Sequence, residues 1–287
     1  MFRLLWWFFF IPICCAGYTY NLSIGALFQN EAPYLKEWIE YHKLLGVEHF
    51  YLYNNYSSDN YLEVLKPYIQ EGVVELKDEL TQADTIQIFY PMQCKCYTNC
   101  CKIASGISKW IAFIDIDEFL VPVEAPTLTD FLKDYEKFGG LGANWRIFGT
   151  SYVKKIPQDK LLIETLTLCT PSSHADNRYL KCIVRPERVL VFDNAHLPTF
   201  KTGFFGVNTS KFPIDGPMSE YILTNKLRVN HYWTRDEDFF YHIKVPRHKK
   251  WGGKADPQLI FQKMNVEKDE LILRFVPKLK KALTDKK

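Results

Sequence analysis

Five consecutive apolar residues, Trp110-Ile111-Ala112-Phe113-Ile114, run without a break into Asp115-Ile116-Asp117-Glu118, and that junction restricts the fold more than any other stretch. Successive side chains of a strand point to opposite faces, so an all-apolar strand must be covered on both. That is the condition of a central strand in a parallel α/β sheet. The upstream sequence supplies the matching units. Leu22 to Phe28 reads as a first strand, followed by Asn30-Glu31-Ala32-Pro33, with Pro33 suited to the opening turn of a helix. Leu35, Trp38, Ile39 and His42 fall at i, i+3, i+4 and i+7 and mark one buried helix face, which Gly46 ends. His49 to Tyr53 reads as a second strand, Asn54 to Asp59 as a polar turn, and Leu62, Leu65 and Ile69 as the stripe of a second helix. Val73 to Leu76 is a third strand and the cysteine-containing stretch a third helix. The alternation predicts an α/β fold with a mostly parallel, Rossmann-like central sheet flanked by helices, one domain over residues 18–250.

In such sheets ligands bind at the carboxyl ends of the strands. Three polar loops are expected there: Asn30-Glu31, Asn54 to Asp59, and Asp115 to Glu118. The second half is richer in strands, expected at Gly142 to Phe148, Leu161 to Leu168, Tyr179 to Val184 and Val189 to Phe192, and ends in helices starting near Thr234 and Gln258. It is expected to complete the same sheet. A net charge of +3 with no long basic block before the C-terminus lacks the footprint of a nucleic-acid binder.

At the N-terminus Arg3 precedes an apolar run, Leu4 to Gly17, shorter than an untilted bilayer span and close to the length of a signal-peptide core. Residues 1–17 are read as a short membrane anchor, with a cleaved signal peptide as the alternative; the strand beginning at Leu22 leaves hardly any spacer for cleavage. Membrane association through this segment is expected, and which side of the membrane the domain faces depends on the source. Residues 251–287 are read as a helical, basic tail, Lys278 to Lys287 as a solvated terminal helix. Four of the eight cysteines crowd into Cys94, Cys96, Cys100 and Cys101, a spacing that matches no paired C-x2-C zinc pattern, and small buried hydrophobes serve equally well there.

Carboxylates at a buried strand's end need a partner. In an extended segment Asp115 and Asp117 point to one side, so both can reach one divalent cation, which in turn neutralises a diphosphate leaving group. A D-x-D after a strand also occurs in aspartate-nucleophile phosphohydrolases. Those normally carry Thr or Val two residues past the second Asp, where this chain has Phe119.

Taken together, Asn30 through Trp38, Tyr53-Asn54-Asn55, Trp110 through Phe119, Trp145 through Gly149, Lys181 through Pro186, and Asn230-His231-Tyr232 with Phe239 and Lys244 resemble glycosyltransferase family 92, over residues 22 to 250. The resemblance implies a GT-A type domain, an inverting mechanism, Mn2+ or another divalent cation at the D-x-D, and a UDP-sugar donor, typically UDP-galactose. It implies Asn30, Glu31 and Asn55 around the nucleoside, Asp115 and Asp117 at the metal with His231 near it or the diphosphate, and Trp145 and Arg146 on an acceptor-side strand. Neutral imidazole suits a Mn-like ion, although His231 taken alone would more often be structural. Arg235, Lys244 and Arg247 follow closely enough to balance a diphosphate, and the last two match the family pattern. Inversion needs a base for the acceptor hydroxyl, for which Asp176, Asp193, Asp215 and Glu220 are candidates and His174 and His196 further ones. The expected activity is transfer of a sugar to a glycan or glycoconjugate. A catalytically silent carbohydrate-binding protein of the same fold is the competing class, with the phosphohydrolase third.

Overall fold

The computed structural model describes residues 17–253 and 256–285. The expected N-terminal anchor lies outside the described residues except for Gly17. Strand β1 (Tyr20–Phe28) leads into helix α1 (Ala32–Leu44), with Pro33 in its first turn and Leu35, Trp38, Ile39 and His42 buried as the spacing predicts. Gly46 ends the turn at φ +95°, a left-handed conformation that glycine adopts without a Cβ penalty. Strand β2 (His49–Asn54) precedes helix α2 (Tyr61–Gln70), which buries Leu65 and Tyr68 and leaves Leu62 55% exposed. The expected stripe is thus corrected: the bulkier Tyr68, three residues after Leu65, takes the inner face. Strand β3 (Val74–Asp78), helix α3 (Ile86–Ala104) and strand β4 (Ser108–Phe113) complete the parallel half.

On α3 all four cysteines are buried free thiols, and burial pushes Cys94 up to about 11 and Cys96 to about 12, so they act as core packing. A Cβ on Gly25 of β1 would stand 2.6 Å from the Phe113 ring of β4 and 3.2 Å from Cys100 Sγ of α3, so glycine leaves room for both.

Strand β5 (Glu118–Pro122) is followed by the short helix α4 (Leu128–Leu132) and strand β6 (Gly140–Ile147). The expected strand over Leu161 to Leu168 is instead one helical turn, α5 (Leu162–Thr165), and a two-residue strand β7 (Leu168–Cys169). The reason lies on α1: Glu37 accepts the N–H groups of Leu162 and Ile163 at 2.9 and 3.0 Å and so caps that turn. Strands β8 (Leu180–Val184), β9 (Val189–Val191), β10 (Thr199–Phe200), β11 (Gly206–Val207), β12 (Pro213–Ile214) and β13 (Leu227–His231) follow. Helix α6 (Glu237–Phe239) continues through a π-helical turn, Phe240–Lys244, into α7 (Val245–Lys250). Helix α8 (Pro257–Met264), strand β14 (Glu267–Lys268) and helix α9 (Val276–Thr284) end the domain.

The central sheet runs β12-β11-β6-β8-β4-β1-β2-β3. Its β4-β1-β2-β3 half is parallel as expected, whereas β8 runs antiparallel to both neighbours, and β13 pairs with β6 and β5 as a branch of the same sheet. Helices α1, α2 and α9 cover one face and α3 the other, which is the helix-flanked arrangement expected of a GT-A type domain. The tail expected as a solvated basic helix is corrected too: Leu279 of α9 is wholly buried in the main core and Lys280 pairs with Glu164 at 2.7 Å.

Glu37 also sets a pH dependence. Burial raises its carboxyl to about 7, against the pull of the two amides it accepts. A folded pKa above the unfolded value of about 4.3 means that stability from this group is greatest at low pH and is lost as pH rises toward 7, by on the order of 3 kcal/mol. The unfolding free energy of the native chain minus that of Glu37→Gln should therefore fall from pH 5 to pH 7.5 in denaturant titrations; a constant value refutes the account.

Candidate active site

At the carboxyl edge of the parallel strands a cavity of about 690 Å3 opens, walled by residues from several of the elements that end there. Glu31 comes from the end of β1, Asn55 from that of β2, and Asp115 and Asp117 from the link between β4 and β5. Trp145 stands on β6, Lys181 on β8 and His231 on β13, while Lys244 and Arg247 reach in from the π turn and α7. Because β8 is reversed, its first residues, not its last, lie at this edge. That polarity delivers Lys181.

The acids are answered by cations, each in its own way. Asp115 Oδ2 accepts from Lys181 Nζ at 2.8 Å, and Oδ1 from Gln93 Nε2 at 3.1 Å and the Tyr97 hydroxyl at 3.4 Å. Lys181 Nζ also lies 3.3 Å from Glu118 Oε2. Burial opposes the charge on Lys181, which is 2% exposed, but Asp115 and Glu118 more than offset it and hold the ammonium well above its usual range. Burial pushes Glu118 up to about 7 against the pull of Lys181. Asp117 sits in a turn rather than an extended segment, its Oδ2 2.8 Å from Lys244 Nζ and its Oδ1 3.6 Å from His231 Nε2. Burial alone would raise its carboxyl; Lys244 and His231 hold it well below the usual range. Glu118 Oε1 and His231 Nδ1 face each other at 3.9 Å, both buried and neither hydrogen-bonded.

Several expected placements need correction. Arg235 does not reach the cavity wall: it is wholly buried, bridges to Glu31, and lies between the rings of Tyr34 at 3.8 Å and Phe239 at 4.3 Å. Arg146 follows Trp145 on a strand and so points to the opposite face, where it pairs with Glu267 at 2.7 Å and Asp269 at 3.5 Å. Asn30 is exposed and turned to the neighbouring loop, accepting from Ser58 N–H at 2.8 Å. Asn55 reaches the wall but spends its amide on the carbonyls of Glu79 and Thr81, both at 2.9 Å. Among the carboxylates considered as bases, Asp176 borders the cavity. Asp193 lines a separate groove between α3 and β9, and Asp215 and Glu220 border neither. His174 is likewise outside the wall and accepts from Asp176 N–H, whereas His196 is on it. Burial lowers His196 to about 4, and its Nδ1 donates to the Leu180 carbonyl at 2.7 Å, which leaves the neutral ring's Nε2 an acceptor.

Lys181 received no role from the sequence, although a signal existed: a lysine inside the apolar run Leu180 to Val184 must find a buried counter-charge. Gln93 and Tyr97 gave no such signal, since on an amphipathic helix they read as ordinary inner-face residues.

Among the described residues no three His, Cys, Asp or Glu side chains form a ready-made metal cage. The donors present nevertheless fit a hard or borderline divalent ion. Two carboxylates and an imidazole fringe one cavity, and ions of this class commonly take one or two carboxylates from the protein and the rest from substrate phosphates.

A family model described as glycosyltransferase family 92 matches residues 19–269. A glycosyltransferase family 92 protein of Ricinus communis is 27% identical over 199 residues, covering 67% of this chain and 34% of the relative. The beta-1,4-galactosyltransferase galt-1 of Caenorhabditis elegans is 30% identical over 181 residues, 60% of this chain and 41% of the relative. The galactan beta-1,4-galactosyltransferase GALS3 of Arabidopsis thaliana is 32% identical over 128 residues, 42% of this chain and 25% of the relative. The chain thus matches between a quarter and about two-fifths of these relatives' lengths. Among solved structures, S. aureus TarS is 13% identical with a TM-score of 0.40, covering 83% of this chain and 68% of that one. At that distance it carries no argument about the site.

Proposed function

The chain belongs to glycosyltransferase family 92, and from that premise we propose that it transfers a sugar, galactose before others, from a UDP-sugar to a hydroxyl of a glycan or glycoconjugate with inversion at the anomeric carbon. The observation that carries this reading is the convergence of Asp115, Asp117, Lys181, His231, Lys244 and Arg247 on one cavity at the carboxyl edge of the sheet. The galactosyltransferase names of two relatives support the choice of sugar.

Asp115, Asp117 and His231 would hold a Mn-type ion, which when bound supplies positive charge to the diphosphate leaving group. Lys244 and Arg247 lie on the same wall and bind the phosphate oxygens as charge-assisted donors. Trp145, packed on His231 at 4.4 Å and on Tyr179 at 5.1 Å, offers a rigid aromatic face for a sugar ring. The acceptor oxygen forms its bond to the anomeric carbon as the bond from that carbon to the diphosphate breaks; the electron pair leaves with UDP and the hydroxyl proton passes to a base. We assign that base to Asp176, the one of the four candidate carboxylates on the cavity wall. Membrane association through residues 1–17 completes the proposal; among the described residues no helix is long and apolar enough to cross a membrane.

Purified protein with Mn2+ and a panel of UDP-sugars tests the reading. Slow hydrolysis selective for one donor is expected, and Asp176→Asn should leave it intact while lowering transfer by about 10²–10⁴-fold. Absence of any donor turnover, or release of phosphate from simple monoesters, refutes the transferase assignment. Equal loss of hydrolysis and transfer in Asp176→Asn refutes only the base.

A further inference from the structure

We infer that the amino edge of the sheet, opposite the cavity, carries a docking face for an anionic lipid bilayer, built from exposed phenylalanines ringed by cations. The parallel strands begin at this edge: Tyr20 of β1 pairs with Ser108 of β4, and Gly140 of β6 pairs with Gly206 of β11. Phe200 packs inward, 2.6 Å from where a Cβ on Gly139 would stand. The chain then turns through Lys201 to Phe204, with Gly203 at φ +90° and Phe204 N–H bonded to the Lys201 carbonyl at 3.0 Å, and presents its next two rings outward. Phe204 is 40%, Phe205 47% and Phe212, across the β11-β12 hairpin, 67% exposed. Single exposed apolar residues need no explanation, but three aromatics on the turns at the two ends of the short strand β11 do.

The charge around them has one dominant sign. The Arg188 guanidinium lies 4.8 Å from the Phe204 ring centre, and exposed Lys201 and Lys211 flank the two turns. Exposed Lys137 sits beside Phe138, whose ring packs against Phe205 at 5.8 Å. Of the nearby acids, Glu136 is engaged by Lys109 and Glu187 by Arg185 at 2.9 Å, Asp134 faces Lys211 at 4.0 Å, and Asp215, just past Ile214 of β12, is exposed, which leaves the cations in excess. Aromatic rings with lysine and arginine around them suit the boundary between acyl chains and anionic headgroups, to which each cation adds attraction.

The position of the leader selects a bilayer over a protein partner. The apolar run Leu4 to Gly17 joins the domain at Tyr18, whose hydroxyl accepts from Arg185 at 2.7 Å and donates to Glu187 at 3.2 Å. Arg188, beside Phe204, follows Glu187 directly, and Lys201 Nζ donates to the Glu187 carbonyl at 2.8 Å. A membrane held by residues 1–17 would therefore lie on the side of this face, with the cavity at the other end of the strands. The inference rests on the reading of residues 1–17 as membrane-associated.

Full-length chain mixed with phosphatidylcholine vesicles carrying roughly a third phosphatidylserine should float with them. Amide exchange over residues 199–213 should then slow roughly tenfold relative to the chain on pure phosphatidylcholine, while Asp115 to Phe119 is unchanged. Lys201→Glu/Lys211→Glu should float yet lose the slowing, with the melting temperature only slightly lowered because both side chains are exposed. Slowing that is independent of phosphatidylserine and of the charge reversals overturns the proposal. So does protection of 199–213 in solution that grows with protein concentration, which marks a protein interface. A chain that fails to float overturns both this face and the leader reading, whereas one that floats with 199–213 unprotected overturns the face alone.

Discussion

Lys181→Met is expected to destabilise the folded domain by about 3–5 kcal/mol, because it leaves Asp115 and Glu118 without the buried cation that both contact. For a domain of this size that corresponds to a fall in melting temperature on the order of 10 °C. The loss should depend on pH. Burial already raises Glu118 to about 7 with Lys181 beside it; without the cation the carboxyl holds its proton to still higher pH. A raised folded pKa means stability present at low pH and lost on the way up, so the penalty in Lys181→Met should be smaller at pH 5 than at pH 8. Glu118→Gln in the same chain should recover part of it by removing one of the two uncompensated charges. Calorimetric melts of the native, single and double variants at both pH values measure this. A penalty indifferent to pH and to Glu118→Gln would falsify the coupling.

Asp117→Asn is expected to keep the fold and lower donor turnover by about 10²–10³-fold or more, the scale of losing one charged group aimed at a leaving group. Asparagine keeps the volume and one oxygen, and Lys244, on the cavity wall, regains water as a partner. What disappears is the charge that Lys244 and His231 together stabilise. Under the proposed role, the Mn2+ concentration for half-maximal hydrolysis should rise along with the loss of rate. Turnover and metal dependence both equal to the native chain's would remove Asp117 from the proposed ion site.

The parallel half of the fold was legible because its signals are local. Leu35, Trp38, Ile39 and His42 state a helix face by spacing alone, and the unbroken run Trp110 to Ile114 states a strand covered on both sides. Leu161 to Leu168 misled because its apolar run takes its conformation from Glu37, more than a hundred residues upstream. The same limit applies to the cavity. The acids could be found from their position after a buried strand, but which cation answers which acid is decided by β8 running backwards and by the π turn that carries Lys244. Arg146 sits beside Trp145 of the wall in sequence and Arg235 two residues after Trp233, and only the alternation of strand side chains and a stacked burial site separate them from it.

Strand β13 slots between β5 and β6, pairing His231 with Glu118 on one side and Ile147 on the other. On the ribosome this has a cost in time. Asp117 and Lys244 are 127 residues apart, so about ten seconds of elongation separate their emergence at rates of 5–20 residues per second. From the completion of β6 at Ile147 until β13 begins at Leu227 the nascent chain carries two unfilled strand margins, and until Lys244 emerges Asp117 has no lysine yet made for it. The window in which this protein is most exposed to sticking and chaperone capture is therefore written into the order of its strands.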